Sequence, residues 1–146
     1  MRTVTRYRIA LVREEDTEVP SRLTLSTPRA VYRFLKTLFA DADREQFVVL
    51  CLSTRNDLVG YNVVSVGSVN ASIVHPREVF KAAILLNASA LVVAHNHPSG
   101  DPTPSAEDRE VTRVLSEAGR LLDIPLHDHV ILGEDCYYSF RDQGML

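Results

Sequence analysis

Residues 90–122 read ALVVAHNHPSGDPTPSAEDREVTRVLSEAGRLL, and this stretch decides the fold. Ala90-Leu91-Val92-Val93-Ala94 is short, apolar and rich in β-branched residues, the pattern of a strand buried on both faces. Pro98, Pro102 and Pro104 then exclude helix until Ser105. From Ser105 onward Val111, Val114, Leu115, Ala118, Leu121 and Leu122 recur at the spacing of one helical face. A buried strand, a stiff loop and an amphipathic helix in succession form an α/β unit.

Working outward, residues 47–52 and 58–66 are apolar runs flanking Arg55-Asn56-Asp57, which reads as a hairpin. Thr27-Pro28 is an N-cap followed by proline at the first helical position, with Val31, Leu35 and Leu38 on one face. A second helix is expected after Pro76, carrying Val79, Phe80, Ala83 and Ile84 and ending near Asn87. His75 is the residue that enters it, and Val130-Ile131-Leu132 reads as a further strand. Residues 1–26 are expected to form an outer strand or hairpin extension around Glu14-Glu15-Asp16-Thr17, with residues 27–146 as the main domain. The expected architecture is an α/β sandwich around a mixed sheet.

The loop of this unit gathers two imidazoles, a hydroxyl and a carboxylate. His95 and His97 are two residues apart, so in an extended segment they point to one side and can share a metal. Ser105 sits at the N-cap and Asp108 in the first helical turn, where their side chains face back to the loop. A hydrolytic Zn²⁺ takes about three protein ligands and leaves one position open. Ser105-x-x-Asp108 is equally a capping box, a helix-start device with no functional content. The buried strand that feeds the histidine pair, and the loop that returns the carboxylate, separate the two readings.

The pattern His95-x-His97, then Pro98, then Ser105 and Asp108 resembles the JAMM signature of the JAB/MPN metallopeptidase superfamily. The wording His-Pro-Ser-Gly-Asp-Pro-x-Pro-Ser is similar to its RadC branch, as are Gly67-Ser68-Val69-Asn70-Ala71 and His75-Pro76-Arg77-Glu78-Val79-Phe80, so the likeness covers residues 25–146. It is a likeness to a short form, without the helix-hairpin-helix segment of larger RadC-like proteins.

The resemblance implies a three-layer α-β-α sandwich of the JAMM/cytidine-deaminase-like kind. It also implies one Zn²⁺ per chain on His95, His97 and Asp108. Glu45, just before the 47–52 strand, matches the family's general base, with Asp43 as the alternative; without the resemblance Glu45 is an ordinary solvated loop charge. Ser105 matches a donor to the oxyanion. The implied reaction is hydrolysis of an amide bond in a peptide or protein.

His127-Asp128-His129 is the rival cluster. It leads into a strand and is read as structural or as supporting the ligands; the family carries an Asp-His pair at Asp128 and His129 that does not bind the metal. Other zinc templates fit worse, because a His-Glu-x-x-His helix and a Pro-Cys-x-x-Cys pair are both missing. Cys51 and Cys136 are read as small buried hydrophobes.

The 146 residues, 45% of them hydrophobic, suit one globular domain with a full core. An apolar leader and a membrane-length run are absent and the cysteines look unpaired, so a cytoplasmic protein with no membrane partner is expected. A net charge of −3 is poor support for sequence-independent DNA binding. Fourteen of the sixteen basic residues are arginines, and Arg2, Arg6 and Arg8 cluster, but without aromatic interleaving. The alternative function is a DNA-repair-associated accessory protein whose metal site is structural or acts on a protein partner. Homo-oligomerisation through exposed strand edges is a further expectation.

Overall fold

In the computed structural model, which describes residues 1–67 and 74–146, the helices and strands run from Pro28 to Ser139. They are α1 (Pro28–Leu38), β1 (Gln46–Leu52), β2 (Leu58–Val66), α2 (Pro76–Leu85), β3 (Ala90–Asn96), α3 (Ala106–Leu122), β4 (Leu126–Leu132) and β5 (Tyr137–Ser139). The strands form one sheet in the order β2-β1-β3-β4-β5. β3 is central, antiparallel to β1 and parallel to β4, and all its residues are buried. A strand covered on both faces favours apolar residues wherever no polar partner is at hand, which explains the unbroken run before His95.

Side chains alternate along the strands and sort into two cores. Phe47, Val49 and Cys51 of β1 with Leu91 and Val93 of β3 pack under Val79, Phe80 and Ala83 of α2 and Val111 and Leu115 of α3. Val48, Leu50 and Leu52 with Ala90, Val92 and Ala94 pack under Val31, Phe34 and Leu35 of α1. The result is three layers, with one helix on one face and two on the other. Each large apolar side chain so buried contributes about 1.5–3 kcal/mol.

The helix starts follow their sequence signals. Thr27 accepts a hydrogen bond from Ala30 N at 3.1 Å, with proline in the first turn of α1. His75 caps α2 without a side-chain bond, and Asn87 takes a positive φ of 54° just past its end. The β1–β2 turn is closed by Ser53 N to Asp57 O at 2.9 Å, with Asn56 at φ 62°.

Three expectations need correction. The N-terminal hairpin is not formed: residues 1–23 carry no strand, and Thr24 makes only an isolated antiparallel bridge to Asp57. The acidic 14–17 stretch lacks the Asn or Gly of a tight hairpin turn, and Tyr7 and Ile9 stay exposed. Residues 22–25 instead clasp the β1–β2 turn, through Arg22 to Asp57 at 3.0 Å, Thr24 Oγ1 to Asp57 at 2.6 Å and Leu25 N to Asn56 O at 2.8 Å. Strand β5 is an addition, too short to show periodicity in the sequence. Cys136 is only half-buried, whereas Cys51 is fully buried and its thiol is pushed up to about 11 by that burial. Of the motif Gly67-Ser68-Val69-Asn70-Ala71, residues 68–71 lie outside those described. Among the described residues no helix is long and apolar enough to cross a membrane.

Candidate metal centre

The C-terminal end of β3 delivers both histidines. His95 occupies the same alternation as Leu91 and Val93, so it points to the α2/α3 face, where it is fully buried and stacked on Phe47 at 5.9 Å between ring centroids. His97 follows beyond the strand end, anchored by its N–H to Leu132 O at 2.7 Å.

The next residues turn on Gly100, whose φ of 92° favours glycine. Its carbonyl accepts from Glu134 N at 2.9 Å and from Cys136 Sγ at 3.6 Å, so the β4–β5 turn grips the loop. The loop in turn places Asp101 O 2.8 Å from His97 Nδ1. A carbonyl can only accept, so the Nδ1 of His97 carries the hydrogen and, in the neutral ring, Nε2 keeps its lone pair.

Helix α3 starts at the same place. Ser105 Oγ accepts from Asp108 N at 3.0 Å and Asp108 Oδ2 accepts from Ser105 N at 2.8 Å, a complete capping box. The bland reading of this pair is therefore true, and it serves the site. Held by the cap and buried, the carboxylate lies 3.2 Å from His95 Nε2 through Oδ1 and 3.3 Å from His97 Nε2 through Oδ2.

The two Nε2 atoms are 3.0 Å apart, and the donor atoms of His95, His97 and Asp108 all lie within 4.8 Å of one another. Among the described residues this is the one such cluster of metal-ligating side chains. Burial opposes ionisation of Asp108, but hydrogen bonds from the facing His95 and His97 rings, from whichever carries hydrogen on Nε2, outweigh it and hold the carboxyl far below the ordinary carboxylate range. A cation between the three groups would serve the same charge. The Asp108 carboxylate in turn raises the His97 pKa, against the pull of burial. Two imidazole nitrogens and one carboxylate oxygen, converging from a rigid strand and a capped helix, fit a divalent metal ion with a position left open.

The remaining candidates fall around this centre. Glu45 directly precedes β1, half-buried, with its carbonyl bonded to Gly67 N at 2.7 Å, and its charge adds to the field that raises the His97 pKa. Asp43 has 88% of its side-chain surface exposed and lies 3.9 Å from Arg44, facing solvent. Ser105 is exposed at the rim, and its hydroxyl hydrogen is not consumed by the cap, where the oxygen only accepts.

The rival cluster divides. His129 is fully buried behind His95, with its Nε2 2.8 Å from His95 Nδ1 and its pKa driven well down by burial. Asp128 faces the other way. It accepts from His129 N at 2.8 Å, Arg141 N at 3.0 Å and Ser139 Oγ at 2.6 Å, and so fastens the C-terminal segment that stacks Phe140 on His129 at 4.8 Å. Burial raises its pKa despite these bonds. His127 stands apart from the cluster, half-buried, its pKa lowered by burial.

Two residues escaped the sequence reading. Asn96, between His95 and His97, accepts from Gln46 N at 2.7 Å and donates to Arg44 O at 2.9 Å, which pins the backbone on both sides of Glu45. The only available signal was its place inside the His-x-His pair. Thr112, one turn after Asp108, lies 2.6 Å from His129 Nδ1; the i,i+4 spacing from the carboxylate was the clue.

The sequence matches the model of the RadC-like JAB domain over residues 25–145. It is 51% identical over 125 residues to a UPF0758 protein of Symbiobacterium thermophilum, covering 86% of this chain and 53% of that protein. A UPF0758 protein of Methanosarcina barkeri is 44% identical over 140 residues, covering 96% of this chain and 61% of its own. A third, from Rubrobacter xylanophilus, is 49% identical over 127 residues. The chain spans between half and about three-fifths of the length of these relatives. A match across almost the whole chain, falling on the strand, loop and helix that build the His95–His97–Asp108 cluster, makes this protein a member of the RadC-like JAB domain family.

Proposed function

We infer that the chain is a zinc-dependent hydrolase of amide bonds, a peptidase or isopeptidase, with His95, His97 and Asp108 holding the ion. The observation that carries this is the convergence of these three donors within 4.8 Å, with the Glu45 charge acting on His97. Three protein ligands with one position open is the arrangement of catalytic zinc, whereas structural zinc is closed by four. Bound there, zinc would supply a Lewis acid that polarises the substrate carbonyl and acidifies water.

The chain's own residues supply the rest. The Glu45 carboxylate accepts the proton of the attacking water and returns one to the leaving amine, and Asn96 keeps the Glu45 segment in register with the histidines. Ser105 donates its free hydroxyl hydrogen to the substrate oxygen as that oxygen gains charge, a contribution of about 3 kcal/mol in comparable sites. His97 retains 14% of its side-chain surface, so the centre opens on the side of His97 and Ser105, where a peptide or protein substrate would enter. Both cysteines are free thiols, which fits a reducing, cytoplasmic setting.

The test has two arms. Metal analysis of the purified chain is expected to give about one zinc per chain, and His97→Ala to lose most of it. Unchanged zinc in that variant would refute the site. A proteome treated with the zinc-loaded protein, compared with Glu45→Gln, is expected to show new N-termini that fall about a hundredfold or more in the variant. Equal cleavage by both would remove Glu45 as the base.

A further inference from the structure

We propose that Thr112 and His129 are positioning residues that decide which nitrogen of His95 carries its hydrogen, and so present the metal centre in its binding form. The inference rests on reading His95, His97 and Asp108 as ligands.

The accounting of hydrogens starts at Thr112, which has one to give. It donates it to the Asp108 carbonyl one turn back, at 2.8 Å. The same hydroxyl oxygen lies 2.6 Å from His129 Nδ1. With its only hydrogen committed, it meets that nitrogen as an acceptor, so Nδ1 of His129 must carry a hydrogen. His129 is fully buried, with Phe140 stacked at 4.8 Å and Phe47 edge-on at 5.7 Å between ring centroids. In such surroundings the ring is neutral and holds a single N–H, which leaves a lone pair on Nε2. That lone pair faces His95 Nδ1 at 2.8 Å, and His95 therefore donates through Nδ1.

His95 Nε2 is left with its lone pair turned to His97 Nε2 at 3.0 Å and Asp108 Oδ1 at 3.2 Å. The chain of bonds begins on the backbone oxygen of Asp108 and ends beside that residue's carboxylate. Run in the opposite sense, it would place a hydrogen on His95 Nε2, in the position a metal needs. His97 reaches the same tautomer by a separate route, through Asp101 O. Partners of this kind behind a ligand typically change metal affinity 10–100-fold when removed.

Long-range ¹⁵N–¹H correlation spectra of the metal-free protein read the tautomers directly. Both His95 and His129 are expected as the Nδ1–H form, and His129 as Nε2–H would overturn the inference. Thr112→Val keeps the volume and removes the acceptor. It is expected to move His129 toward Nε2–H and to lower zinc affinity roughly 10–100-fold in competition with a chromophoric chelator, with Thr112→Ser restoring both. A Thr112→Val protein with wild-type tautomers and wild-type zinc affinity would also overturn it. Absence of zinc binding by the wild-type chain would refute the metal reading instead, while the metal-free tautomers still decide this inference.

Discussion

Gly133→Ala tests how the β4–β5 turn supports the metal loop. Gly133 is not at a positive φ, so the substitution costs space rather than backbone strain. A Cβ built there would lie 2.3 Å from Gly100 O, 2.8 Å from Pro102 Cδ and 2.9 Å from Cys136 Sγ. Two of these atoms belong to backbone or a proline ring and cannot swing aside, so the turn and the loop must separate by about 1 Å to restore ordinary contact. Overpacking of this kind costs about 1–3 kcal/mol. The separation also weakens the Glu134 N to Gly100 O bond of 2.9 Å, worth about 1 kcal/mol. A loss of about 2–4 kcal/mol is expected in urea unfolding of the metal-free protein, read as a lower midpoint at unchanged slope. Zinc affinity should fall as well, because the loop carries the Asp101 carbonyl that orients His97. Gly144→Ala is the control, with no atom within 4 Å of its Cβ and only the strain of φ 70° to bear. If Gly133→Ala cost less than about 0.5 kcal/mol and left zinc binding intact, the clamp would not be rigid and the account of the loop would fail.

Asn96→Ala should retain zinc yet lose hydrolysis by roughly tenfold to a hundredfold, because it releases Arg44 O and Gln46 N around Glu45; titrating metal and turnover side by side checks this, and a parallel loss of zinc would show that Asn96 supports the ligands instead. Asp57 should titrate below its ordinary value, held there by the Thr24 hydroxyl and then by Arg22, and Thr24→Val should move it back up in ¹³C carboxyl NMR. Since its folded pKa is the lower one, the clasp on residues 22–25 contributes above the ordinary carboxylate range and is lost as pH falls through the depressed value. With a net charge of −3, duplex DNA should bind at micromolar strength or weaker and be released by salt. Submicromolar, structure-selective binding that survived neutralising Arg2, Arg6 and Arg8 would make the nucleic-acid role primary.

The sequence exposed those parts of the molecule whose physics is local. The β3 strand announces itself through the apolar run 90–94, because burial on both faces disfavours any polar group without a partner, and α1 and α3 because Thr27-Pro28 and Ser105-x-x-Asp108 spend their side chains on the helix start. His95, His97 and Asp108 were legible for the same reason, all lying within one strand-loop-helix unit. What stayed hidden was contact between distant segments. His129 meets His95 across 34 positions of sequence and Asn96 reaches the Glu45 segment across about 50, and neither spacing has a period. The outer hairpin expected of residues 1–26 misled because a strand-like run becomes a strand only where a neighbour offers it an edge and a face.

Asp108 is held by the helix cap, His97 by a loop carbonyl and His95 by its buried neighbour, and none of these bonds requires an ion. A zinc finger is shaped by its metal and collapses without it. Here the three side chains are placed by bonds within the chain, so on the proposed zinc reading the shape of the centre is set by the helix cap, the loop and the core rather than by the ion.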